Sequence, residues 1–314
     1  MVSVIIPNYN HAVYLPKRIE SVLNQTYPDI EIIILDDNST DNSCEVIAQY
    51  RQHPKVSQIV LNEQNSGSTF KQWKKGIELA KGEWIWIAES DDWCEPTFLE
   101  ELLSPIADNP EIVIAFCQSL LVSPEDRIVY KTEAEQLYSI VNGEEFIKKK
   151  MLGANHIVNA SMVIFKKNAF AQIPDDYARM KYCGDWLFWV HVCLQGKVFI
   201  SGKYLNYFLR HDKNVASNAI VEGYDFLEGN QVFHFINKNL KVSALDKEAA
   251  LKMRLDLYWY QQSLYVNKEV AQQVLASILA LDPVVKPLLE MRKKRVSSNR
   301  LRSAISNYMH FFRK

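Results

Sequence analysis

Four apolar runs of strand length, Val2–Ile6, Ile30–Leu35, Val56–Leu61 and Trp84–Ala88, alternate with stretches of helical periodicity. That alternation constrains the chain more than anything else in it. It builds βαβ units, which demand a parallel sheet and right-handed crossovers. The helical stretches carry their own signals. Pro16 suits a first turn ahead of the stripe Ile19, Val22 and Leu23. Asn42 and Glu45 have capping-box spacing, and Thr69–Ala80 follows the turn Asn65-Ser66-Gly67-Ser68. Three of the four runs stop at polar clusters: Pro7-Asn8-Tyr9-Asn10, Asp36-Asp37-Asn38-Ser39-Thr40-Asp41, and Glu89-Ser90-Asp91-Asp92. In a parallel sheet these ends share one edge, the edge at which open α/β sheets bind ligands.

The acidic cluster is the most informative of the three. Carboxylates this close repel one another unless a cation lies among them, and a hard divalent ion with oxygen ligands answers that need. No GxGxxG follows the first run and no GxxxxGK[ST] occurs, so neither a dinucleotide fold nor a P-loop is expected. Phosphates, if bound, need another device, and a metal on the acidic cluster supplies one. Mg²⁺ and Mn²⁺ both suit such oxygens.

The chain of 314 residues, 48% hydrophobic, is long enough for a sizeable core and about two domains. A formal net charge of −1 gives no support to a nucleic-acid partner. Five cysteines without CxxC spacing fit a reducing compartment. No apolar run reaches the roughly 18 to 20 residues needed to cross a bilayer. The first strand begins almost at Met1, so no signal peptide is expected. The expectation is a cytoplasmic protein, attached to a membrane at most peripherally.

The segments Val-Ser-Val-Ile-Ile-Pro-Asn-Tyr-Asn, Ile-Leu-Asp-Asp-Asn-Ser-Thr-Asp and Ile-Ala-Glu-Ser-Asp-Asp-Trp together resemble glycosyltransferase family 2, over about residues 1–218. The resemblance implies the GT-A fold, an α/β architecture with a mostly parallel central sheet. It also implies a nucleotide-sugar donor, a divalent metal (Mn or Mg), and transfer with inversion, of hexosyl or N-acetylhexosaminyl type. Residues 1–105 would form the nucleotide-sugar half and 106–218 the acceptor half. By position, Pro7, Tyr9 and Asn10 would line the base pocket. Asp36 and Asp37 would hydrogen-bond base and ribose, and Lys71 would face the nucleotide. Glu89 stands where the family has the first Asp of its DxD element, with Ser90 beside it. Asp91 would be the direct metal ligand and Asp92 a second.

The same resemblance places the general base at Asp185, opposite the leaving diphosphate, with Gly184 where the family has Glu and Trp186 on the acceptor side. Read from the sequence alone, Asp185 is an N-cap for the apolar helix that follows, a role compatible with catalysis. Tyr-Phe-Leu-Arg-His looks like the family's late segment, implying a metal or diphosphate role for His211 and positive charge from Arg210. Further strands are expected at Glu111–Cys117, Asn159–Phe165, Val198–Ile200 and Tyr204–Leu209. Pro96–Ala107 reads as a helix, as does a segment ending at Lys148-Lys149-Lys150.

Beyond Asn218 the chain reads as helical, forming an extension over 219–314. From Met291 onward the basic residues Arg292, Lys293, Lys294, Arg295, Arg300, Arg302, Arg313 and Lys314 mix with Leu301, Ile305, Tyr308 and Phe312 at helical spacing. Such a segment suits an anionic membrane surface, packing on the globular part, or a solvated tail. The family analogy favours a glycan or lipid-linked acceptor in bacterial surface-polysaccharide synthesis. Two rivals stand. A sugar nucleotidyltransferase would need a Gly-rich basic loop after the first strand, which Pro7–Asn10 lacks. A non-catalytic nucleotide-sugar-binding module is suggested by Glu89 and Gly184, and opposed by Asp91, Asp92 and Asp185.

Overall fold

A computed structural model describes residues 1–210 and 219–296, with side chains described through residue 292. The alternating first third folds as its pattern requires. Strand β1 (Val2–Asn8), helix α1 (Leu15–Leu23), β2 (Ile30–Asp36), α2 (Ser43–Gln49), β3 (Val56–Leu61), α3 (Thr69–Leu79) and β4 (Trp84–Ile87) follow in order. β1 and β2 are fully buried, as both-face coverage of parallel strands demands. The register pairs Val2 with Ile30 and Asn8 with Asp36, so two of the polar clusters meet at one edge. β4 pairs parallel with the other side of β1, Ile5 against Ile87, and brings the acidic cluster to the same edge.

The middle adds β5 (Trp93–Cys94), α4 (Phe98–Leu103), β6 (Ile112–Val122), β7 (Ile128–Lys131), β8 (Tyr138–Asn142), α5 (Gly143–Phe146), β9 (Val163–Lys166), α6 (Lys167–Phe170), α7 (Gly184–Cys193) and β10 (Lys197–Leu209). Sheet order is β3-β2-β1-β4-β9-β6-β10-β5, with β7 on β6 and β8 on β10. β9 runs antiparallel between β4 and β6, while β6 and β10 are parallel. The sheet is therefore parallel over β3, β2, β1 and β4 and mixed beyond. Four helices close the described chain: α8 (Tyr224–Asn239), α9 (Ala244–Gln261), α10 (Lys268–Leu279) and α11 (Val285–Val296).

Several sequence expectations change in detail. Asn159–Phe165 is not one strand. The Asn159 side chain accepts from Ser161 N, which curls Ala160–Met162 into a 3-10 turn before β9 begins. Val198–Ile200 and Tyr204–Leu209 are not two strands but one strand with register shifts. Its break residue Gly202 is there because a Cβ would lie 2.7 Å from Gln136 O. The expected helix from Pro96 starts only at Phe98 and tightens to 3-10 at Ser104–Ile106. The lysine run lies in a π-helical turn, Ile147–Met151. Asn42 precedes α2 but makes no side-chain cap bond. Asp41 performs that task, accepting from Ser43 N at 3.0 Å and from Ala12 N at 2.9 Å.

An aromatic cluster joins α3 to α7. Trp73 lies 5.8 Å, ring to ring, from both Phe188 and Trp189, and Phe70 stands edge-on to Trp73 at 5.3 Å. The cluster matters because Trp73 also reaches the acidic loop.

Candidate active site

The site is built from three strand ends and one helix start. At the β1–β2 edge, Asn8 Nδ2 donates to Asp36 Oδ1 at 2.8 Å, and Ser39 Oγ donates to the same oxygen at 2.6 Å. Asn10, at φ 57°, accepts from Thr40 N at 2.7 Å through Oδ1, while its own N–H donates to Ser39 Oγ at 2.9 Å. These bonds fold the loop after β1 onto the loop after β2. Pro7 is buried, and the Tyr9 residue is 47% exposed in the loop after β1. Asp37 organises the next loop. It accepts from Asn62 Nδ2, Ser66 N, Ser66 Oγ and Gln72 Nε2, all within 2.9 Å. Lys71 Nζ donates to Ser66 O at 2.9 Å and stays at the surface of that loop.

Asp36 and Asp37, expected at base and ribose, are tied into the loops at this edge. Exposures of 1% and 5% leave little surface for a ligand, and both carboxylates are engaged by loop donors.

The acidic loop stands over a buried cation. Arg18, on the inner face of α1 and 0% exposed, donates through Nε to Glu89 O at 2.9 Å and lies over the Trp86 ring. Its terminal nitrogens lack a hydrogen bond, with Asp92 Oδ2 3.9 Å from one of them. Glu89 Oε1 accepts from Trp73 Nε1 at 2.9 Å. Ser90 Oγ is 2.8 Å from His11 Nδ1. Asp92 is the junction: Oδ2 accepts from Asn159 Nδ2 at 2.9 Å and Ser161 Oγ at 2.6 Å, and Oδ1 from Leu209 N at 3.1 Å. The expected metal ligand Asp92 is a carboxylate already engaged inside the protein. Both oxygens are spent on internal donors, so Asp92 ties the loop to the end of β10, next to Arg210.

Electrostatics fit a cation here. Burial and the charge of Asp91 push the Glu89 carboxyl up to about 8, against the Trp73 bond and Arg18. Burial and Asp91 likewise push Asp92 up to about 7. One arginine does not offset three acids, and a divalent ion would complete the balance. Among the described residues no three His, Cys, Asp or Glu form a ready cluster. Mg²⁺-type sites do not need one, since one or two carboxylates plus substrate phosphates and waters suffice. Asp91, partly exposed at the tip, is the residue placed to contribute.

Asp185 lies in the first turn of α7, where Asn155 Nδ2 donates to its Oδ2 at 2.9 Å. Burial pushes its carboxyl up to about 7; the helix N–H groups and Asn155 resist, and the charge of Glu228 adds to the rise. Trp73 ties this helix to the acidic loop, with its ring on α7 and its N–H on Glu89. Gly184 is forced, since a Cβ would lie 2.3 Å from Tyr177 O and 2.6 Å from the Phe70 ring. Gly184→Ala should therefore destabilise the fold by about 1–3 kcal/mol, read as a lower denaturant midpoint at unchanged slope.

Other expected residues fall elsewhere. Trp186, expected on the acceptor side, is 4% exposed, donates to Met151 O at 3.0 Å, and packs beneath α8 at Gly229. Arg210 is 7% exposed, and burial lowers its pKa. His211 lies outside the described residues, as does the tail beyond residue 296. Among the described residues no helix is long and apolar enough to cross a membrane. Arg18, Trp73, Asn155, Asn159, Ser161 and Glu228 were not singled out by the sequence.

A mixed sheet with its ligand edge at β1, β2 and β4, an acidic loop after β4, and a separate carboxylate at a helix start define a sugar-transferring α/β enzyme. The pattern of Glycosyl transferase family 2 matches residues 3–173, and the chain belongs to that family. The chain is 27% identical over 280 residues to glycosyltransferase GlyG of Streptococcus pneumoniae, covering 88% of this chain and 82% of that protein. S. aureus TarS 1-349 in complex with UDP-GlcNAc superposes with a TM-score of 0.67 at 19% identity, over 91% of this chain and 83% of that one. Mannosyltransferase PcManGT of Pyrobaculum calidifontis, in complex with GDP-Man and Mn²⁺, gives 0.58 at 16% identity, over 98% and 84%. These structures share the fold. The chain is a glycosyltransferase.

Proposed function

We propose that this enzyme moves a sugar from a UDP-sugar to a hydroxyl of a glycan or lipid-linked acceptor, with inversion, in surface-polysaccharide assembly. The observation that carries the reading is Asp185: a carboxyl held near neutrality by burial, at the start of a helix tied through Trp73 to the acidic loop. A base poised near the working pH is the best compromise between being ionised and being able to take a proton. The UDP-GlcNAc complex of TarS and the GDP-Man and Mn²⁺ complex of PcManGT support a nucleotide sugar and a metal in this fold.

In this reading the Tyr9 ring lies against the base, and the loops pinned by Asp36 and Asp37 shape its pocket. Asp91 holds the divalent ion together with the donor's diphosphate. That ion supplies Lewis-acid stabilisation of the leaving nucleoside diphosphate. Asp92, Arg18 and Trp73 keep the loop in place. Asp185 takes the proton of the acceptor hydroxyl as its oxygen displaces the diphosphate from the opposite face, so one displacement inverts the anomeric centre.

A panel of UDP-, GDP- and dTDP-sugars, assayed for nucleoside diphosphate release with Mn²⁺, Mg²⁺ or EDTA, tests the reading. Turnover of a UDP-sugar that EDTA removes is the expected result. Turnover equal in EDTA, or confined to another nucleotide, would overturn the metal or the UDP assignment respectively.

A further inference from the structure

Glu228 lies in α8, beyond the matched family region, yet its carboxylate reaches the segment leading into α7. Oε1 accepts from Lys181 N, and Oε2 from Tyr182 N and Cys183 N, each at 2.8 Å. Glu228 is 8% exposed. Three consecutive backbone donors on one carboxylate is a dense arrangement, and it stands immediately before Gly184 and Asp185. The approach of α8 is close because residue 229 is glycine: a Cβ there would lie 2.9 Å from the Trp186 ring. Arg254 of α9 closes the same junction, donating to Gly153 O at 2.9 Å and to Asn230 Oδ1, with its guanidinium 5.9 Å from the Trp186 ring centre.

Gly184 has no space for a side chain, so a carboxylate cannot come from the position preceding Asp185. One comes from α8 instead. We infer that Glu228 is the positioning residue of the base: it fixes the backbone of residues 181–183, sets where α7 begins, and so aims the Asp185 carboxylate at the acceptor. The arrangement makes the helical extension part of the catalytic apparatus rather than an appendage. Negative charge at the start of α7 also suits the helix dipole. The inference rests on the reading of Asp185 as base.

A purely structural clamp and a positioning carboxylate differ in what they do to the base. The charge of Glu228 contributes to the raised pKa of Asp185, behind burial. The other groups around this junction are Cys183 between them, Asp225 of α8 and Arg254 of α9, with Asn155 on the far side.

The test measures pH profiles of kcat/KM and kcat for Glu228→Gln and Glu228→Asp, beside Asp185→Asn. In Glu228→Gln, kcat should fall roughly 10- to 100-fold through misaimed chemistry, with donor KM within about twofold of wild type. The acid limb of kcat/KM should move to lower pH, because the base has lost a like charge. Wild-type kcat at wild-type donor KM in this variant overturns the inference, wherever the acid limb falls. If thermal melts show Glu228→Gln unfolded at the assay temperature, Glu228→Asp decides. It keeps the charge at a shorter reach, so kcat should drop with the limb unmoved, and wild-type kcat overturns the proposal. Turnover retained in Asp185→Asn would instead sink the base reading, independently of both Glu228 variants.

Discussion

Asp185→Asn is expected to lower kcat by about 10²- to 10⁴-fold, the span that a positioned general base contributes, while donor affinity measured by calorimetry stays unchanged. Asparagine matches the carboxylate in size and keeps an oxygen for Asn155, so the start of α7 should be preserved. In the wild type, kcat/KM should rise with pH through about 7, as Asp185 loses its proton, and level off above. Stability should run the other way. The folded carboxyl holds its proton to higher pH than the unfolded one, so the native state binds more protons between the two values. This group therefore costs stability as pH rises from about 4 to above 7. Asparagine removes that cost. A Tm at pH 8 equal to or above wild type, combined with lost turnover, would separate catalysis from folding. Undiminished turnover would return Asp185 to a helix-start residue.

Much of the fold was legible because it is local. The apolar runs, Pro16 and the turn at Asn65–Ser68 each act over a few residues, and the sheet edge followed from strand direction alone. At the candidate site the sequence marked Asp91 and Asp185, which the structure sets at the loop tip after β4 and in the first turn of α7. Where the acids answer to partners far along the chain, the site was not legible. Asp92 reads as a ligand in sequence, yet Asn159, Ser161 and Leu209 N claim it. Asn159-Ala160-Ser161 reads as the start of a strand, yet its side chains hold Asp92 and the Glu89 N–H. Glu228 could not be paired with residues 181–183 before the packing of α8 was known.

Arg18 did leave a signal. It stands between Leu15, Ile19 and Val22 on the face of α1 that must be buried. A guanidinium on an apolar stripe is costly unless acids lie over it. The four residues from Glu89 to Asp92 were the only dense acidic group at that sheet edge besides Asp36–Asp41. Pairing the misplaced cation with the over-charged loop was possible in principle, and nothing short-range in the sequence required it.

Asp91 and Asp92 are neighbours with opposite expected phenotypes, and this contrast tests the metal assignment most sharply. Asp91→Asn should leave the fold intact, since the amide matches the carboxylate in size at a partly exposed loop tip, and it should remove metal-dependent binding of UDP. A Lewis acid contributes several kcal/mol to such a reaction, so kcat/KM should fall by about 10³-fold or more. Asp92→Asn should act on the frame. Its amide cannot accept from both Asn159 Nδ2 and Ser161 Oγ and still take Leu209 N, and Arg18 loses its facing charge. Breaking a buried charged junction costs about 3–5 kcal/mol, so Asp92→Asn should lower Tm clearly while the surviving folded protein still binds UDP better with Mn²⁺ than without. Calorimetric titration of UDP with Mn²⁺ and with EDTA, beside thermal melts, reads both effects. Identical affinities with and without Mn²⁺ in wild type would remove the metal from Asp91. A metal effect lost in Asp92→Asn at unchanged Tm would return Asp92 to the ligand role that its position in the sequence suggested.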